Sequence, residues 1–297
     1  MRGICNTFLL IFFMVLAPWG QTVSACSSCG SGGADPVVLN PNESGKFYLG
    51  LSQQSGFQDI DRRGNRQKSY GPKQKQSLDL AFAQRLTSRV FASAVMNFGR
   101  NVYGSEAESQ NGDASLNVRA NVLQQNIAEP WIPQLQLLAG HRFALGRSVN
   151  EQKRERFLDV FGAGYDETYL GADLWYGMQT VMAGGSVLFG FPGTEEADFG
   201  SFQLGRLQRL IGTIGYLPLA EVKVIGGFIH ERRSGSEVDG VAQEDSDKRS
   251  QDLFLTSETL FSEGSNYRLT LSSRGAYGEL KNATQAKVIS VAWMRPL

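Results

Sequence analysis

The chain has 297 residues, 29 of them basic and 29 acidic, so it carries no formal net charge. That balance leaves no positive surplus for gripping a nucleic-acid backbone, and a slightly negative mean hydropathy excludes a bundle of membrane-spanning helices. The charged runs at 151–156 and 244–249 are short and read as solvated loop.

Residues 1–25 read as an export signal. Arg2 gives a basic start, residues 8–16 are an unbroken apolar run, and Val23, Ser24 and Ala25 supply the cleavage region. The run is too short to span a bilayer, so the mature chain is expected to leave the cytoplasm of a bacterial cell. No later stretch reaches the roughly 18 consecutive apolar residues of a membrane helix. A mature chain resident in a membrane must then be a closed barrel, because only closure satisfies every backbone N–H and C=O in lipid.

Residues 26–45 read as a flexible periplasmic leader rich in Cys, Ser and Gly. Cys5 is lost with the signal, whereas Cys26 and Cys29 remain as Cys-Ser-Ser-Cys. Two readings stay open for the pair. Val23-Ser24-Ala25-Cys26 resembles a lipobox, which implies acylation of Cys26; a disulfide or redox pair with Cys29 suits an oxidising compartment equally. A zinc site wants four ligands, and beyond this pair only His141 and His230 remain. Haem attachment needs His where Gly30 stands. No metal and no cofactor is expected. The motif is also similar to the Cys-x-x-Cys near the mature N-terminus of the outer-membrane barrels that sheathe multihaem cytochromes, a likeness confined to these four residues. It implies a periplasmic redox partner.

Residues 46–297 alternate apolar and polar side chains with a period of two. The clearest run is 115–122, where Leu116, Val118, Ala120 and Val122 oppose Ser115, Asn117, Arg119 and Asn121. The same pattern sets Leu78, Leu80 and Phe82 against Ser77 and Asp79, and Tyr267, Leu269 and Leu271 against Arg268, Thr270 and Arg274. A face carrying ionised groups opposite an oily face is the pattern of an up-and-down antiparallel transmembrane β-barrel.

About twelve strands are predicted, at 46–54, 74–84, 89–100, 114–123, 132–143, 167–177, 180–191, 200–210, 221–231, 250–260, 266–276 and 285–295. Each approximates the roughly 9 to 11 residues that cross the hydrocarbon layer. Connections alternate between tight turns, such as 86–88, and longer polar loops, such as 55–73, 101–113 and 145–166. Outer-membrane barrels keep short turns in the periplasm and long loops outside, so both termini are expected in the periplasm. The strand at 200–210 breaks the pattern, since Phe202 and Leu204 share a face with Arg206 and Gln208, and it requires a bulge. Tyr48, Tyr169, Trp175, Tyr267 and Trp293 sit near strand ends, where aromatic girdles form.

The last strand, with Ile289, Val291 and Trp293 on one face, resembles the C-terminal strand by which bacterial barrels are recognised for assembly. That pattern closes on an aromatic, whereas this chain ends in Leu297. Over nearly its whole mature length the chain resembles small bacterial porin and transporter barrels. The resemblance implies an outer-membrane location and partners limited to lipid, small solutes and a periplasmic protein, with no nucleic acid.

Outer-membrane phospholipase is the enzymatic precedent for such a barrel. Its Ser–His arrangement is not matched here, since no Ser lies two residues from His141 or His230 on the same face, so no enzyme is expected. The functional candidates are therefore the residues predicted to face the lumen: Lys46, Asp79, Asn117, Arg119, Asn121, Gln134, Gln136, Arg142, Asp173, Lys223, Glu231, Asp252, Glu258, Arg268 and Arg274. They point to a channel or transporter for small solutes. The alternative is a structural or adaptor barrel that engages a periplasmic redox partner through Cys26 and Cys29.

Overall fold

A computed structural model describes residues 37–40, 42–125, 131–178, 180–197, 200–219, 221–261 and 264–297. Among them, twelve strands run in chain order as one antiparallel sheet: β1 (Gly45–Ile60), β2 (Gln74–Arg85), β3 (Val90–Tyr103), β4 (Glu106–Leu123), β5 (Gln134–Phe143), β6 (Glu167–Met178), β7 (Val181–Pro192), β8 (Leu207–Leu219), β9 (Val222–Arg233), β10 (Lys248–Leu260), β11 (Asn266–Arg274) and β12 (Ala283–Pro296). The sheet closes where β12 pairs with β1, from Lys46 opposite Pro296 to Ile60 opposite Ala283. Closure removes both edges, so the strands satisfy one another's backbone groups all the way round. No helix among the described residues is long and apolar enough to cross a membrane.

Alternation sorts the side chains into two environments. Leu51, Phe82, Met96, Leu116, Leu137, Leu170, Phe189, Ile214, Phe228, Leu255, Leu269 and Val291, one from each strand, are 38% to 69% exposed on the outside of the barrel. Burying a large apolar side chain contributes about 1.5–3 kcal/mol. A dozen left half-exposed to water would forfeit energy comparable to the whole stability of a domain, about 5–15 kcal/mol. This belt is therefore a surface for lipid.

The chain termini and most of the short connections share one end of the barrel, here the terminal end; most of the longer connections share the other, the loop end, with the tight β3–β4 turn and the 124–133 link as exceptions. Three features differ from the sequence reading. The eighth strand runs Leu207–Leu219 rather than 200–210, and Gly200–Gln203 instead joins Thr194–Ala197 and Glu237–Val238 in a small sheet among the loops. Leu207, packed on Leu138, Tyr169 and Leu188, and Ile211 face inward, which blurs the alternation, and Pro218 sits where the β8–β9 register slips between Tyr216 and Leu219. The expected loop at 101–113 is mostly strand: β3 and β4 stay paired up to Tyr103 opposite Glu106, and Gly104 turns the chain at a φ of 63°. Finally, Tyr48, Tyr169 and Trp175 are not girdle residues but point inward and are nearly fully buried. Each covers a glycine on its own or a neighbouring strand, as Trp175 covers Gly184, where an added Cβ would lie 2.4 Å from the ring.

The barrel interior as candidate functional site

Three constructions occupy the interior. The first packs inside the terminal end. Val37, Val38 and Leu39 have 0% to 1% exposure and pack against inward-facing Tyr48, Ala81, Ala83, Phe91, Ala292 and Met294. Lys46 ties this segment down: its Nζ donates to the Val38 carbonyl at 3.0 Å and pairs with Glu43 at 2.7 Å. The Arg85 Nε donates to the Glu43 carbonyl at 2.7 Å, and Arg85 also reaches the Asn40 carbonyl, so a β2 guanidinium clasps the incoming chain. The end of the segment read as a leader thus occupies the barrel mouth. Cys26 and Cys29, and the signal segment before them, lie outside the described residues.

The second construction fills the β4–β9 side with paired polar groups. Arg119 on β4 is 1% exposed and forms an ion pair with Asp173 on β6. Between them on β5, the Gln136 Nε2 donates to Asn121 Oδ1 at 2.6 Å, while Asn117 bonds to Ser93 and Gln134 is buried beside Trp175 in register. Nearer the loops, Glu167 is held between Arg142 at 3.1 Å and Arg233 at 2.9 Å, and both guanidinium groups stack on the Tyr165 ring. On the opposite wall Glu258 pairs with Arg268 at 3.1 Å and with Lys223 at 4.0 Å. Paired charges of this kind are rigid wall rather than free selectivity groups.

The third is loop 144–166, which folds into the loop end. Asn101 Nδ2 donates to the carbonyls of Leu158 and Val160, both at 3.0 Å, and Ala163 N–H donates to Asp113. Phe157 holds a φ of 56°, rare for a bulky residue, and its ring lines the cavity. Asp159, itself fully buried, organises the loop. Burial alone would push its carboxyl up, but the Lys153 N–H, the Arg147 guanidinium and the Arg154 N–H outweigh that and hold it below the usual carboxylate range.

What remains is a chamber of about 820 Å³ against β1, β2 and β9–β12. Asp79, Glu231, Asp252, Arg268 and Arg274 line it, along with hydroxyls of Ser250, Thr256, Thr270, Ser272 and Ser290. Asp79 accepts from Asn97, Glu231 from Arg209, and Asp252 from the Ser250 hydroxyl and the Gly275 N–H.

Sequence reasoning missed Lys75, Glu167, Arg209 and Arg233. Lys75, Glu167 and Arg233 share the inward parity of their strands and were findable by it, whereas Arg209 was hidden by the displaced eighth strand. His141 lies on the outer face, as the alternation implies, with Nδ1 2.9 Å from Thr168 Oγ1 and Nε2 3.7 Å from Asp166. The second separation exceeds a hydrogen bond.

A closed antiparallel barrel of twelve strands with an apolar outer belt and a charged interior has the fold of the bacterial outer-membrane β-barrels. No family model matches the sequence, and no curated protein matches it. Among solved structures, an outer membrane channel from Pseudomonas putida F1 is similar over 86% of this chain and 96% of its own, with a TM-score of 0.68 and 11% identity. The NanC porin is similar over 84% of this chain and 100% of its own, with a TM-score of 0.53 and 9% identity. At these identities the likeness is one of fold.

Proposed function

We propose that the protein is a passive outer-membrane channel for small polar or charged solutes, with its long loops outside the cell and both termini in the periplasm. The observation that carries this reading is the chamber inside the closed barrel, walled by hydroxyls and charged side chains. A polar-walled interior of this size takes solutes of roughly drug-like dimensions or smaller. The similarity in fold to solved outer-membrane channels supports the same reading. Transport, rather than catalysis, is the role assigned here.

Passage requires the terminal end to open. The segment from Val37 to Leu39 is anchored by hydrogen bonds and ion pairs at Lys46 and Arg85, and it is not a strand of the barrel, so it can withdraw without breaking the sheet. The channel is therefore expected to be mostly closed and to open when this segment leaves. Planar bilayers test this with the full chain, with Lys46→Ala and with a variant lacking residues 26–40. Rare stepwise openings in the first and more frequent openings in the other two are expected; a sealed barrel in all three would refute the reading.

A further inference from the structure

The charged groups of the chamber are not evenly matched. Each acid lining it already has a donor: Asp59 takes the Thr284 hydroxyl at 3.0 Å, and Asp79, Glu231 and Asp252 are held as described above. Of the cations, Arg209 and Lys248 lean on Glu231, and Arg268 on Glu258. Lys75 on β2 and Arg274 at the end of β11 also line the chamber, and their side chains have neither a hydrogen bond nor an ion pair among the described residues. They lie within Coulombic reach of each other and repel, and the one acid that offsets this at Lys75 is Asp59. Two cations that face one chamber without an ion pair favour an anion there. Lys75 and Arg274 are thus the donors in the chamber that remain for a negatively charged group.

The remaining lining is apolar. Phe57 from β1, Val149 and Phe157 from loop 144–166, and Phe254 from β10 contribute hydrocarbon to the same space. A pocket with convergent cations and an apolar wall orients a ligand that has one charged end and one oily body.

We propose that the chamber contains a binding subsite for organic monocarboxylates, in which Lys75 and Arg274 hold the carboxylate and the wall of Phe57, Val149, Phe157 and Phe254 takes the hydrocarbon body. The proposal deepens the channel reading by naming the class of solute, and it rests on that reading for its biological meaning. The site would act as a resting place within the path, gripping an anion by its head while leaving it exchangeable with the water around it.

Hexanoate is the probe. Titration calorimetry on the full-length protein in nonionic detergent, with micelles alone as the blank, compares it with acetate, 1-hexanol and hexylammonium. Hexanoate is expected to bind, acetate and hexanol about tenfold or more weakly, and hexylammonium not at all. Lys75→Gln and Arg274→Gln are each expected to weaken hexanoate about tenfold, the loss of one charged hydrogen bond. Heat-modifiable migration on a gel confirms that both variants remain closed barrels. Equal binding of hexanol and hexanoate, or unchanged hexanoate affinity in both variants, would overturn the proposal. Bilayer conductance is recorded separately on the same samples: binding without conductance removes the channel reading and keeps the site, whereas conductance without binding does the reverse.

Discussion

Arg119 and Asp173 show how single residues hold the interior shut on one side. Their charges sit on β4 and β6 with side chains 1% and 6% exposed, and β5 passes between them. A buried pair contributes little beyond what an apolar pair would, but removing one partner strands the other charge, at a cost of about 3–5 kcal/mol. Arg119→Ala or Asp173→Ala should each lower the unfolding free energy of the refolded barrel, read by urea titration, by that amount, while Arg119→Leu with Asp173→Leu should stay close to the original. Asp159 is the corresponding residue in loop 144–166. Its carboxyl titrates below the usual range, so its contribution is complete above the ordinary aspartate value of about 4 and is lost as pH falls through the lower folded value. Acidification below about pH 4 should therefore release the loop from the barrel mouth and change channel conductance. Asp159→Asn at neutral pH should reproduce the acid behaviour, and a variant conducting as the parent does at every pH would contradict this role.

At the scale of the strand, the period-two pattern decides which face each side chain takes, and a small residue opposite a large one decides how the interior fills. Gly184 on β7 accepts the Trp175 ring from β6, where a Cβ would approach to 2.4 Å. Gly184→Val forces Trp175 off its seat and should cost about 1–3 kcal/mol in the same unfolding experiment. The strands near 74–84, 114–123 and 167–177 were legible because their inward residues are polar and their outward ones apolar. The eighth was not, because Leu207 and Ile211 face inward, which is not visible before the register is known, and because Pro218 made 211–220 read as a connection although the strand continues to Leu219. The burial of Val37, Val38 and Leu39 was equally hidden: three apolar residues after a Gly/Ser-rich stretch carry no period and acquire their partners only when five distant segments converge.

For the whole molecule, one asymmetry organises function. The barrel is closed and oily outside, and its interior is divided into a paired, filled side and an open chamber bordered at the loop end by loop 144–166, while the segment before β1 packs inside the other end. Most inward charges, Arg209 excepted, were readable from alternation; which of them pair was not, because partners such as Arg119 and Asp173, or Arg233 and Glu167, are set by the order of strands around the barrel. The claim beneath all of this is that the two faces of the sheet meet different solvents. Single nitroxide labels at positions 269, 270, 271 and 272 of β11, on a Cys26→Ser, Cys29→Ser background in lipid vesicles, test it directly. Labels at 269 and 271 should be relaxed by oxygen dissolved in lipid, and those at 270 and 272 by a water-soluble nickel complex. Loss of that alternation, with all four labels equally open to the nickel complex, would show that β11 does not divide lipid from a wet interior.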